Sequence, residues 1–514
     1  MSVLTTTLDI INNNIFNNYE LLEILLKNKI LVEESKIDDK FLVEYIIINK
    51  KNNILELLIK YGFDINKEYN ERSLLYISVW LNNINACKIL LNNNADINYK
   101  RKNNETTSLY KAVENNYCNF VKLLLENDAD ININSKDGVS PIFVAITNNN
   151  FKIINMLLDK CKDINEITTL GITALYIASQ YDYVDVVKLL LDKKADPNIK
   201  LKNGYSLLNI VVYENNFKSL KLLLDYNINI SDKFGYSLMN GIEKYNNKSV
   251  KLLIDYGYDI NIKDNCGLSP LHIAIKVNNC EIVKYLLEKC IDINSVDDNN
   301  LTPLHICALV NYGNDDKLIK ILIESKADVN IKIKNNVSSI TNPIFSKYYS
   351  YINKIIDYKI DYDIINGLII GATPLCIAVS VGNINIIKIL LEAKSDPNIK
   401  LLNGRNCLYT SVYTNNSTLL SLLLEYCADP DYPNDLISIA VDKTYEKCIK
   451  LLTDAKTKKM NNKKQNSLGE TCPICLEIID DINNSFMTKC YHIFHMNCWD
   501  LYDKQICPIC RGEQ

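Results

Sequence analysis

The sequence predicts an all-α solenoid of stacked helical pairs that ends in a small domain of a different kind. Three observations carry that prediction. A motif of about 33 residues recurs along most of the chain, each copy holds two short apolar stripes at helical spacing, and the C-terminus concentrates cysteine and histidine. At 514 residues the chain is long enough for several domains, or for one array that grows without a single core. A hydrophobic content of 47% and a charged content of 23% are those of a folded protein. The net charge of −4 is small for this length, so no global field points to nucleic acid or to an anionic membrane.

The repeat shows first as "LLIKYGFDIN", "LLNNNADIN", "LLENDADIN", "LLDKKADPN", "LLEKCIDIN" and "LIESKADVN". Its aspartate, or the residue replacing it, falls at Asp64, Asp96, Asp130, Asp163, Asp196, Asn229, Asp259, Asp292, Asp328, Asp361, Asp396 and Asp429. An eroded copy precedes these around Leu31, which makes about thirteen units, and "NDLISIAVDKTYEKCIKLL" closes the array as a helical pair. Each copy opens with a Gly, then Thr or Ser, then often Pro, as in "GVSPIFVA", "GLSPLHIA" and "GATPLCIA". Thr or Ser is a good N-cap, and Pro fits the first helical position, where its missing N–H costs nothing. A short apolar helix follows, then a polar break, then a second helix with an "IVKYLLE" stripe. Asp-Ile-Asn and Gly138, Gly171, Gly204, Gly235, Gly267, Gly371 and Gly404 mark the connecting turn.

A turn-helix-helix unit of this length carrying "SPLHIA" and "TPLHIC" resembles the ankyrin repeat over roughly residues 7–454, which sets the array at 1–454. The resemblance implies an ankyrin solenoid whose concave face and turn tips bind a protein substrate. Pairs stacked about 8–10 Å apart would build an arc on the order of 100 Å. The helix-ending glycine, two before the marker, survives only at Gly62 and Gly257. Asn94, Asp128, Cys161, Lys194, Asn227, Cys290, Lys326, Lys394 and Cys427 replace it elsewhere. Such residues pay a penalty in the left-handed cap conformation, so modest stability per repeat is expected. The copy around "NPIFSKYYSYINKIIDYKIDYDI" keeps the period with a longer turn, and reads as a distorted joint between two straighter stacks.

Nothing in the array offers chemistry, since it holds no phosphate-cradling loop and no nucleophile beside a base. His272 and His305 sit at the repeat's own "PLH" position, where a structural hydrogen bond is the expected role. The eleven cysteines before residue 455 show no paired spacing and read as buried, inert thiols. No apolar run of about 18 residues predicts a membrane span, and the first residues do not read as a secretory signal. The expected setting is therefore an intracellular, reducing one, the cytoplasm first and the nucleus as the alternative. The richness in Asn, Ile, Lys and Tyr looks like translation of an AT-rich genome.

After residue 454 the period stops. "KTKKMNNKKQNSLGE" reads as a flexible linker over 455–470, able to span roughly 20–24 Å, with a nuclear address as the alternative for its lysines. Residues 471–514 then place Cys472, Cys475, Cys490, His492, His495, Cys498, Cys507 and Cys510 in four close pairs. Eight soft nitrogen and sulfur ligands suit two zinc ions, each tetrahedral and closed. So short a stretch cannot bury a sufficient core, and structural zinc can contribute about 10–16 kcal/mol to such a module. A disulfide framework would leave the histidines idle.

The ligand order, three cysteines, two histidines and three cysteines, resembles the RING finger in its two-histidine form, the module that recruits ubiquitin-conjugating (E2) enzymes. The family's cross-brace implies Cys472, Cys475, His495 and Cys498 on one zinc, with Cys490, His492, Cys507 and Cys510 on the other. Spacing alone leaves that pairing open. The resemblance also implies E2 contacts through Ile474 and Pro508, and a bridging role between E2 and ubiquitin for Arg511, whose planar fork suits it. Loop packing is the alternative reading of Ile474 and Pro508. Tyr502 falls where the family has a Trp, while Trp499 lies one after the sixth ligand, so either aromatic could face the partner. The sequence thus predicts a RING-type E3 ubiquitin ligase without a covalent intermediate. The rival reading is a non-catalytic ankyrin scaffold whose zinc module is an interaction or dimerisation surface. Zinc-dependent nucleic-acid binding lacks a basic or aromatic stripe. Architecture and composition together look like the ankyrin proteins of large DNA viruses, including those infecting amoebae, which implies action on a host's ubiquitin system.

Overall fold

The computed structural model describes residues 40–333 and 371–500, apart from 232–234, 299, 311–315, 402–403, 434, 467–468, 482–484 and 489–491, together with 23, 27, 36, 37 and 509. The chain divides into two compact units, one ending at Tyr258 and the other running on from Asp259. Among the described residues, the first holds seven helical pairs and the second five.

In the first unit the pairs are Leu42–Ile48 with Asn52–Lys60, Leu74–Trp80 with Ile84–Asn92, Ser108–Glu114 with Cys118–Glu126, and Pro141–Thr147 with Phe151–Leu158. Ala174–Gln180 with Val184–Asp192, Leu207–Tyr213 with Phe217–Asp225, and Tyr236–Glu243 with Asn247–Asp255 complete it. The caps follow the sequence. Ser73, Thr107 and Thr173 accept from the N–H three residues on, at 3.2, 3.1 and 3.1 Å, and Pro141 takes the first helical position. Packing rests on the apolar stripes, such as Val186, Val187 and Leu190, all at most 1% exposed. A second row explains how closely the helices approach. The residue five after the cap is small and fully buried at Ser78, Ala112, Ala145 and Ala178. Counted from the inter-helix turn Gly241 occupies the same place, its carbonyl accepting from the Asn246 N–H as that of Ser78 does from Asn83, and a Cβ there would lie 2.8 Å from methyls of both Val212 and Val250.

The D-x-N signature has a physical role that its turn propensity does not reveal. Within a turn the Asp96 carboxylate accepts from the Asn98 N–H at 3.0 Å, an Asx-turn. The Asn98 side-chain oxygen then accepts from the Asp130 N–H of the next repeat at 2.9 Å. Asn66 joins Asp96, Asn165 joins Asp196 and Asn198 joins Asn229 in the same way, at 2.7–2.8 Å. The Asp side chain therefore closes its own turn and the Asn side chain ties on the following one. Asparagine serves the inter-helix turns as well. Asn82, Asn116, Asn149 and Asn215 take the left-handed conformation there, which Asn tolerates better than most residues.

The second unit repeats the plan with Pro270–Lys276 and Cys280–Glu288, Pro303–Leu309 and Lys317–Glu324, Pro374–Val381 and Ile384–Glu392, and Cys407–Tyr413 and Ser417–Glu425. Leu436–Asp442 pairs with a 21-residue helix, Glu446–Asn466. The expected distorted joint lies outside the described residues, but its neighbours locate the stack. The Asn330 side chain accepts from the Asp396 N–H at 2.9 Å, and Ile333 and Ala372 are joined by a 3.0 Å backbone bond. Pro303–Leu309 packs directly on Pro374–Val381. The repeats of Asp328 and Asp396 therefore contact each other directly.

Two expectations are corrected. Eight of the nine glycine replacements adopt the left-handed cap as expected, but the Cys161 repeat ends its helix early at Leu158, with Asp159 right-handed. Residues 455–466 belong to the helix Glu446–Asn466 rather than to a flexible linker. Lys and Asn without an apolar stripe gave no periodic signal there, yet both tolerate a helix, and tertiary contacts decide. Lys459 reaches Asp429 and, at 2.8 Å, Asp431. Asp431 stands where earlier turns carry the ladder Asn, so this helix takes the place of a next repeat.

His272 and His305 perform the expected structural task. Each Nδ1 accepts from a cap N–H at 3.1 Å, and each Nε2 faces a carbonyl of the following repeat, Leu301 at 3.1 Å and Ala372 at 3.4 Å. Burial pushes both down to about 4. The unfolded chain binds their protons near pH 6.5, so it holds more protons than the fold between pH 6.5 and 4. Their contribution is full above pH 6.5 and is lost as pH falls through that window, by on the order of 3 kcal/mol each. A His272→Gln/His305→Gln chain keeps side chains able to cap and should show a shallower fall in urea midpoint from neutral pH to about 4.5. Parallel profiles for the two chains would refute this.

Candidate metal centre

A short hairpin, Ser485–Met487 paired antiparallel with Ile493–His495, and the helix Met496–Asp500 form the framework of the C-terminal module. Its core is small: Cys472, Ile479, Met487, Ile493, Phe494 and Trp499, with Phe486 stacked on Trp499 at 4.6 Å between ring centroids. Cys472 and Cys475 come from a tight turn in which the Leu476 N–H reaches the Cys472 carbonyl at 2.8 Å and Leu476 itself is left-handed. His495 ends the second strand and Cys498 lies in the helix that follows at once. Local structure therefore brings the two sequence pairs to one point.

Cys472, Cys475, His495 and Cys498 place their ligand atoms within 4.8 Å of one another, with Cys475 Sγ 3.2 Å from His495 Nδ1. A tetrahedral zinc site sets such atoms about 3.7 Å apart, so this set fits one metal ion. The other ring nitrogen settles the tautomer. His495 Nε2 lies 3.2 Å from the Ile478 carbonyl and donates to it, which leaves the Nδ1 lone pair for a metal. Burial works to raise the Cys472 thiol, but N–H groups of Cys475, His495 and Ile474 outweigh it and bring it down to about 6. Burial and the two neighbouring thiols push Cys498 up to about 11. Three sulfurs so close cannot all ionise without a cation between them, which is the electrostatic argument for a metal.

Of the other expected ligands, His492 lies on the hairpin with its N–H bonded to Thr488 Oγ1 at 3.0 Å, while Cys490, Cys507 and Cys510 lie outside the described residues. So do Tyr502, Pro508 and Arg511. Trp499 is corrected: at 3% exposure it is the centre of the core and offers no contact surface. Ile474 is 36% exposed, and Leu476 and Ile478 beside it are 77% and 63% exposed, so loop packing does not account for this apolar tip. Sequence reasoning missed the Ile478 carbonyl, since any residue could supply it. It also missed a thiol pair: Cys376 and Cys407, 31 residues apart, stand with sulfurs 3.8 Å apart, and Cys290 and Cys427 are exposed rather than buried.

The family described as Ankyrin repeats (3 copies) matches residues 11–101, 109–201, 142–234, 194–264, 238–333, 346–434 and 375–466. The chain belongs to the ankyrin-repeat family, a class built to bind other proteins. No curated protein matches the chain. The human ASB11 ankyrin repeat domain is similar in its solved structure, at 18% identity over 43% of this chain and 99% of that one, with a TM-score of 0.38. No helix among the described residues is long and apolar enough to cross a membrane.

Proposed function

We propose that the chain is a RING-type E3 ubiquitin ligase, whose ankyrin array captures a protein substrate and whose C-terminal module engages a charged E2 enzyme. The observation that carries the reading is the converged set Cys472, Cys475, His495 and Cys498. It is the first half of an eight-ligand order whose second half, Cys490, His492, Cys507 and Cys510, would hold a second zinc. The ligase performs no covalent step. Ile474, at the exposed tip beside the metal, and Pro508 contact the E2, and Arg511 donates to both E2 and ubiquitin. The scaffold reading stays as the second one on a specific observation: burial of Trp499 removes one aromatic from the expected contact surface.

Full-length chain, Arg511→Ala and His495→Ala are to be compared in ubiquitin-chain formation across a panel of E2 enzymes, with zinc content measured on each. The expected result is activity in the parent, at least tenfold loss with zinc retained in Arg511→Ala (about 1.4 kcal/mol per factor of ten), and loss of both in His495→Ala. A parent that binds two zinc ions yet is silent with every E2 replaces this reading with the scaffold.

A further inference from the structure

We propose that Cys376 and Cys407 are a redox site that closes to a reversible disulfide in the presence of a hydroperoxide, bonding two consecutive repeats to each other. Cys376 lies in the first turn of the helix Pro374–Val381, where two earlier repeats carry His272 and His305, and Cys407 is the first residue of the next repeat's helix. Their sulfurs are 3.8 Å apart, so a bond of about 2.0 Å needs a movement of under ~2 Å. They are 9% and 2% exposed, in reach of a small oxidant and shielded from bulky ones.

The two sulfurs have unequal surroundings. Cys376 Sγ accepts from the Cys407 S–H and, at 3.4 Å, from the Thr373 hydroxyl. The Cys407 thiol acts first, and with the Thr373 hydroxyl and local N–H groups it outweighs burial and brings Cys376 down to about 7. Cys407 is pushed well up by that same neighbour, by burial and by the Asp396 charge. Cys376 thus gives up its proton more readily than Cys407 does. The Cys376 thiolate attacks one oxygen of hydrogen peroxide, the O–O bond breaks, and hydroxide leaves as water after taking a proton, which gives a sulfenic acid. The Cys407 sulfur attacks the sulfenic sulfur, the S–S bond forms, and the departing hydroxide takes the Cys407 proton as a second water. Two thiols lose two electrons in total, and one peroxide becomes two waters. A dithiol reductant restores the pair by exchange.

The test uses zinc-loaded, full-length protein treated with limiting hydrogen peroxide, alkylated in denaturant and digested with trypsin. Lys388, Lys394, Lys400 and Arg405 separate the two cysteines, so a Cys376–Cys407 crosslink joins two peptides. Zinc release is followed in the same samples. The expected result is this crosslink at peroxide levels that release no zinc, its loss with dithiothreitol, and a melting transition raised by several degrees in the oxidised chain. In Cys407→Ser, Cys376 should instead carry a sulfenic acid that reacts with dimedone added together with denaturant. Both cysteines alkylating as free thiols at doses that already release zinc would overturn the proposal, and so would a Cys407→Ser chain without a dimedone adduct. A Cys376→Ala/Cys407→Ala chain that melts like the reduced parent shows that the pair is not needed for folding.

Discussion

Chelating metal from the full-length chain should shift the emission of Trp499 to the red while the helical signal of the repeats persists. The chain has two tryptophans, and only Trp499 belongs to the C-terminal module. Its burial depends on the five other core residues, one of which, Cys472, is itself a proposed ligand. That core is far too small to offset the ordering entropy of the surrounding chain, which is roughly 1–2 kcal/mol per residue for the backbone alone. Metal binding at about 10–16 kcal/mol is large enough to do so. Trp80, 43% exposed in the repeats, supplies a constant background that a Trp80→Phe substitution removes. His495→Ala should produce the same red shift without chelator, because it removes both a ligand and the hydrogen bond to Ile478. An unchanged spectrum after metal removal would mean that the hairpin stands without metal.

Gly241→Val should cost roughly 3 kcal/mol or more, measured by urea midpoint. The first atom of the new side chain would already lie 2.8 Å from methyls of Val212 and Val250. Those two residues belong to the preceding repeat and to the second helix of its own, so relief requires both packing interfaces to open. Helix propensity acts the other way, by less than ~1 kcal/mol, and does not compensate. Because stacked repeats depend on nearest neighbours, hydrogen exchange should rise first in the flanking helices Leu207–Tyr213 and Asn247–Asp255. A midpoint within error of the parent's would show that the repeats can spread at this row.

Much of the fold was legible because its signals are local and repeated. Caps, prolines and apolar stripes recur, so chance agreement at one copy does not matter. What the sequence hid depends on distant partners. The period of about 33 residues counts chain length, and two periods separate Asp328 from Asp396 whether or not a rung lies between them. The helix over 455–466 gains its anchor from Asp429 and Asp431, which no local reading of a lysine-rich stretch supplies. Trp499 reads equally as contact or core until Phe486 and Phe494 are seen against it. The first ligand set was legible because close pairs of Cys and His offer so little other chemistry, yet its pairing needed the hairpin that brings His495 back to Cys475.

Among the described residues, the asparagine ladder binds repeat to repeat at seven joints through the same two groups, a side-chain oxygen and the next turn's N–H. A connector repeated with one geometry carries cohesion but no address. Asn330 accepts from Asp396 with the geometry that Asn98 offers Asp130, although 66 residues intervene in one case and 32 in the other. Order along the stack must therefore come from chain connectivity and from the side chains that differ between repeats. An array joined in this way can gain a rung or lose one without inventing a new joint. Its length is free to drift while its local architecture stays fixed.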